Sequence, residues 1–232
     1  MKLDGSQLDR KLYLSWIEPQ ISDGYLAALI DDHLQISHYL AGIAINNHQI
    51  PLASEWLKDC GIKTIGTVAY PLGGLPLDLK VAQIEELIQM GADQVDVIVS
   101  MNSILENDMN TIENEINTLY DIRTDHPLCL IINTPWLNQK QLINTVQLIQ
   151  STQKFIIRTT TGYGMTTDRT VVKSIRKKFG DRLKIIVSGG CDNTGSALDF
   201  IQAGADGIYV NDLFSIIEGF VTLNAFQERQ RE

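Results

Sequence analysis

Apolar positions along this chain follow two alternating rhythms. Short, nearly continuous apolar runs read as strands: LYLSWI (12–17), AGIAIN (41–46), KTIGTVAY (63–70), QVDVIV (94–99), LCLIIN (128–133), KFIIRT (154–159), LKIIVS (183–188) and DGIYVN (206–211). Runs of this kind suit parallel strands buried on both faces. Between them the apolar residues return at helical spacing, as in SDGYLAALIDDHLQIS, LDLKVAQIEELIQMGA and NDMNTIENEINTLYDIRT. The same spacing recurs in LNQKQLINTVQLIQ, TTDRTVVKSIRKKFG and DNTGSALDFIQAGAD. Ser22, Asp23, Asn138 and Asp168 stand where N-caps belong, and Gly91, Gly180 and Gly204 where helices stop. Acidic residues lie early and basic ones late, Arg123 among them, in agreement with the helix macrodipole.

Eight strands alternating with helices over about 220 residues predict a (β/α)8 barrel, which typically needs about 250. A doubly wound open sheet would want a glycine-rich turn after the first strand, and SWIEPQIS offers none. No Pro/Gly/Ser-rich linker divides residues 1–232, so one domain is expected.

Composition narrows the partners. With 19 Lys and Arg against 28 Asp and Glu, the net charge of -9 argues against a nucleic-acid backbone. No apolar run is long enough to span a bilayer, and MKLDGSQLDRKLY lacks a signal core. Cys60, Cys129 and Cys191 are sparse and odd in number, which suits a reducing, cytoplasmic setting. Neither they nor His33, His38, His48 and His126 show metal-ligand spacing, so no metal and no cofactor are expected.

In such barrels chemistry sits at the C-terminal strand ends. The polar residues there are Asn46 after strand 2, Asn133 after strand 5, Thr160 and Thr161 after strand 6, Ser188, Gly189 and Gly190 after strand 7, and Tyr209 on strand 8. These form the candidate binding set for a small-molecule metabolite. Two charges interrupt apolar strands: Asp96 between Val95 and Val97, and Arg158 after Ile157. A buried charge needs a partner. The expectation is an Asp96–Arg158 pair across the barrel interior, with two readings open: a tie that holds the core, or catalytic machinery. Gly189 and Gly190 can cradle an anion through backbone N–H groups, or simply turn the chain.

These residues bring a family into view. The chain resembles deoxyribose-phosphate aldolase, a class I aldolase on a (β/α)8 barrel, from about residue 11 to 213. The likeness is carried by IPLASEWL (50–57), YPLGG (70–74), GADQVDVIVSMNSILENDMNTIENEI (91–116), RTTTGYG (158–164) and VSGGCDNTGSALDFIQAGADGI (187–208). The resemblance implies a Schiff-base lysine in a KT(S/T)TG motif, a position that is Arg158 here, with Asp96 the retained strand 4 acid. The family's second lysine falls at Ile186, its strand 5 lysine and glutamate at Cys129 and Asn133, and its strand 1 acid at Tyr13. Its phosphate loop keeps Gly189 and Gly190, but the turn after strand 8 reads YVND, and Asp212 near a helix start would compete with a phosphate.

Arginine stays protonated and is a poor nucleophile, so Arg158 does not make an imine. Lys184 and Lys154 share the parity of the lost positions but lie roughly 7–13 Å too far down their strands. Three readings follow: an enzyme diverged from imine chemistry, with Arg158 on a carboxylate or carbonyl oxygen and Asp96 as proton carrier; a non-catalytic binding relative; or a genuine aldolase in which another lysine substitutes. The likeness also makes a homodimer the expected assembly.

Overall fold

The computed structural model describes residues 8–122 and 124–229; Arg123 lies outside them. Eight parallel strands close into a barrel in sequential order: β1 (Leu12–Trp16), β2 (Leu40–Ile45), β3 (Lys63–Val68), β4 (Gln94–Ile98), β5 (Leu128–Ile131), β6 (Ile156–Arg158), β7 (Ile185–Val187) and β8 (Gly207–Tyr209). Closure is made by β1 on β8, with Leu12 opposite Ile208 and Tyr13 opposite Tyr209.

Each strand feeds two cores, which is why its sequence is apolar on both parities. Leu12, Leu14, Val95, Val97, Leu130, Ile157 and Val187 point outward to the helical ring. Tyr13, Ala41, Ala44, Ile65, Cys129, Ile156, Ile186 and Tyr209 fill the barrel itself. Asp96 and Arg158 share parity with the second set, two residues beyond Gln94 and Ile156. The local alternation of the chain thus aims both charges inward.

The helices are α1 (Asp23–Leu34), α2 (Ile50–Leu57), α3 (Leu77–Gln89), α4 (Met101–Leu105), α5 (Met109–Asp121), α6 (Gln139–Ser151), α7 (Arg169–Phe179), α8 (Thr194–Ala203) and α9 (Leu213–Arg229). Side-chain caps fix several starts. Ser22 accepts from Tyr25 N, Asp168 from Thr170 N, and Asn138 and Asn193 each close a reciprocal capping box. Gly180 and Gly204 stand at the C-caps of α7 and α8 with positive φ. Asp212 accepts from Ser215 N at 3.0 Å and so occupies an N–H at the start of α9.

The strands are shorter than the hydrophobic runs. β3 ends at Val68 because Ala69 takes φ +58, and β5 ends at Ile131, before Asn133 at φ +44 turns the chain into a short 3-10 segment. β6 ends at Arg158, with Thr159 still bonding Ile186 O and Thr134 N through its backbone, and the threonine hydroxyls that follow tie down the loops. Of the polar residues read as strand ends, all but Tyr209, which closes β8, are therefore loop residues.

Candidate functional site

Arg158 closes β6 at the C-terminal end of the barrel, its side chain only 1% exposed. Nη1 donates to Asp96 Oδ2 at 3.0 Å. Nη2 donates to Thr161 O and to Ser188 Oγ, each at 3.1 Å. The guanidinium carbon lies 3.6 Å from the Tyr209 ring centroid, a stacked cation–π contact. Tyr209 Oη in turn donates to Asp96 Oδ2 at 3.0 Å, and Gln94 Nε2 donates to Asp96 Oδ1 at 2.9 Å. Both carboxylate oxygens are engaged, and Asp96 is fully buried beneath the arginine. Nε of Arg158 and Nδ2 of Asn133 are buried without a partner among the described residues.

The electrostatics follow from this enclosure. Burial alone would lower the Arg158 pKa, but the Tyr209 and Asp96 oxygens outweigh it and hold the guanidinium above its ordinary value. Burial, and then the Asp96 charge, push the Tyr209 phenol and the Cys129 thiol well above their usual ranges. The centre is a fixed Arg⁺–Asp⁻ pair flanked by a neutral phenol and a neutral thiol.

Above the pair opens a cavity of about 520 Å³. Arg158, Thr161, Ser188, Gly189, Gly190 and Tyr209 line it. Glu18 and Asp192 add acids at its margin, and among the described residues no lysine lines it. Thr160 supports the loop: its hydroxyl donates to Ser188 O at 2.8 Å and accepts from Gly162 N at 2.9 Å. Asn133 Oδ1 accepts from Thr161 N at 3.0 Å, so it too shapes the loop. Gly189, at φ +78, packs so closely on Met165 that a Cβ there would lie 2.0 Å from Met165 O.

Asn46 stands apart from this group. Its amide donates to Glu18 O at 2.9 Å and to Gln49 Oε1 at 3.2 Å, and it lines a neighbouring cleft of about 530 Å³. Tyr70 separates the two spaces, donating to Thr161 O at 3.1 Å, and its pKa is raised by burial against the opposing pull of Arg158. Gln94 escaped the sequence reading of the site, although its position two residues before Asp96 already put it on the inward face.

A second buried ion pair was hidden in the helical pattern. Lys80 Nζ donates to Glu115 Oε1 at 2.6 Å and to Ile98 O at 2.7 Å, while Glu115 Oε2 accepts from Ser100 N at 2.9 Å. Together they pin the end of β4 to α3 and α5. Among the described residues no cluster of three or more His, Cys, Asp and Glu can hold a metal ion, and no helix is long and apolar enough to cross a membrane.

No family model matches the chain. A curated deoxyribose-phosphate aldolase from Dictyoglomus turgidum is 28% identical over 217 residues, covering 92% of this chain and 97% of the relative. In sequence the chain is similar to curated deoxyribose-phosphate aldolases. Solved structures agree on the fold. The chain superposes on an aldolase called QR15 with a TM-score of 0.84 at 22% identity, covering 94% of this chain and 98% of that one. It also superposes on the deoxyribose phosphate aldolase of Aeropyrum pernix, described as tetrameric, with a TM-score of 0.79 at 20% identity, covering 93% and 92%. Arg158 lies directly opposite Ile186 on the neighbouring strand, and Asp96 opposite Cys129.

Proposed function

We infer that this barrel binds a small oxygen-rich metabolite, sugar- or carboxylate-like, at its C-terminal mouth without forming a Schiff base. One observation carries the reading. The residue at the expected imine position is a buried arginine whose charge is matched by Asp96, and among the described residues no lysine lines the cavity above it. An amine nucleophile must be able to lose its proton; a guanidinium held above its ordinary pKa does not. In this reading Arg158 supplies fixed positive charge, with Nε as a donor still lacking a partner. Ser188, Thr161 and the Gly189–Gly190 turn supply polar contacts at the mouth. Asp96 holds the arginine rather than moving a proton, because both of its oxygens are taken.

The same engagement of Asp96 favours, as a second reading, a binding protein with no catalysis at all. A homodimer and a single barrel domain over residues 1–232 belong to the proposal. Sedimentation separates a dimer from a monomer or a tetramer.

The test is reductive trapping. Incubation with deoxyribose 5-phosphate or acetaldehyde and borohydride is expected to leave the intact mass unchanged. An adduct on any lysine overturns the proposal. A panel of sugar phosphates and hydroxy acids, read by thermal shift, then identifies the ligand class.

A further inference from the structure

The opposite end of the barrel holds a second cavity of about 630 Å³, at the N-terminal ends of the strands. Its floor is the inner layer of Tyr13, Ala41, Ile156 and Ile186. Around that apolar floor stand Arg10, Lys11, Lys63 and Lys184, against Asp9 and Asp206. Such a surplus of cations is unexpected in a chain of net charge -9.

Two of these charges are already committed. Arg10 donates to the carbonyls of Ser37, Leu40, Gly61 and Cys60, and serves as a clamp between loops. Asp206 accepts from Arg176 at 2.6 Å and from Ile185 N at 2.8 Å. Lys11, Lys63, Lys184 and Asp9 remain, and of these Lys63 and Lys184 flank the apolar floor of Ile156 and Ile186. Neither forms an ion pair with a carboxylate among the described residues. The one hydrogen bond of Lys63 Nζ among the described residues is a long one, 3.4 Å to Gln94 Oε1. Lys63 is half-buried, and its pKa is lowered first by burial and then by the charge of Lys184. Two like charges thus face one half-enclosed space, neither of them ion-paired among the described residues, with Asp9 and Asp206 at its edge and Asp93 and Asp96 opposing part of the shift at Lys63.

We propose that this lower cavity is an anion site, taking a phosphate monoester whose phosphate lies between Lys63 and Lys184 and whose carbon body rests on Ile156, Ile186 and Tyr13. Two ammonium groups match a dianion, and charge-assisted hydrogen bonds to phosphate are the strong kind. The volume exceeds what a bare phosphate needs, and the apolar floor suits an organic body. In a (β/α)8 barrel the helix C-termini gather at this end, and their partial negative charge repels anions. Binding here therefore depends on the lysines. The site is distinct from the mouth, since the inner layer containing Cys129 and Ile186 lies between them, and it stands whether or not the mouth binds a metabolite.

Phenyl phosphate is the probe. Isoleucine methyl labelling separates the two ends of the barrel, because Ile156 and Ile186 line the lower cavity and Ile17 lines the mouth. Saturable shifts of the Ile156 and Ile186 methyls are expected. Lys63→Met and Lys184→Met should each weaken binding by at least ~10-fold, the size of one charge-assisted hydrogen bond, while Lys173→Met leaves it unchanged. If either lysine variant fails to fold, the methyl shifts of the unmodified protein decide. Absent shifts at Ile156 and Ile186, shifts confined to Ile17, or affinities unchanged in both lysine variants overturn the proposal.

Discussion

Replacing Arg158 with methionine strands Asp96. The carboxylate is fully buried and the guanidinium 1% exposed, so neither has water to fall back on. In the variant Asp96 keeps the Gln94 and Tyr209 hydrogen bonds but loses its cation. Thr161 O and Ser188 Oγ lose donors, and the Tyr209 face loses its stacked charge. Removing one partner of a buried pair costs about 3–5 kcal/mol, because the other charge stays uncompensated. For 232 residues the unfolding entropy is roughly 0.5 kcal/mol per kelvin, so the melting temperature should fall by about 6–10 °C. Chemical denaturation and calorimetry of Arg158→Met, Asp96→Asn and the double variant form the assay. The double variant should be less destabilised than the two singles summed, with a coupling of at least ~1 kcal/mol. A melting temperature within about 2 °C of the parent, or a coupling near zero, would refute the idea that this pair holds the barrel interior.

Two further outcomes test the frame around the site. Gly189→Ala should cost roughly 2–4 kcal/mol, from left-handed strain together with the clash against Met165 O; an unchanged urea midpoint would mean that the loop after β6 moves aside freely. Asp108, Asp168 and Asp212 cap helix starts, and hydrogen bonds from Thr111, Thr170 and Ser215 hold each carboxyl below its ordinary 3.8. A depressed native value means stability that is complete above the unfolded pKa and is lost as pH falls through the folded one. Acid titration of stability should therefore steepen below about pH 4, and the triple Asp→Asn variant should show a flatter acid limb; identical limbs would dismiss the caps as contributors.

What the sequence determined by itself is whatever depends on local period and local chemistry. The alternation of strand and helix predicts eight strands and a barrel, and caps such as Asn138, Asp168 and Gly204 sit where the structure uses them. Strand parity pointed Asp96 and Arg158 inward, and the cost of an unpaired buried charge made their pairing the expectation; they meet at 3.0 Å. The tertiary structure decided what depends on neighbours far away in the chain. Asn46, a mouth residue by position, is drawn into the adjoining cleft by Glu18 and Gln49. Lys80, inside the LDLKVAQIEELIQMGA helix, is buried by its bonds to Glu115 and the Ile98 carbonyl, partners far away in sequence. Tyr209 becomes the floor under the guanidinium only because β8 closes against β1 and turns its ring inward. Lys63 and Lys184 likewise meet at one cavity only once the barrel is closed. Periodicity within a strand is a local property, but which side chain faces which across the barrel is set by closure and register, and no single segment carries that information.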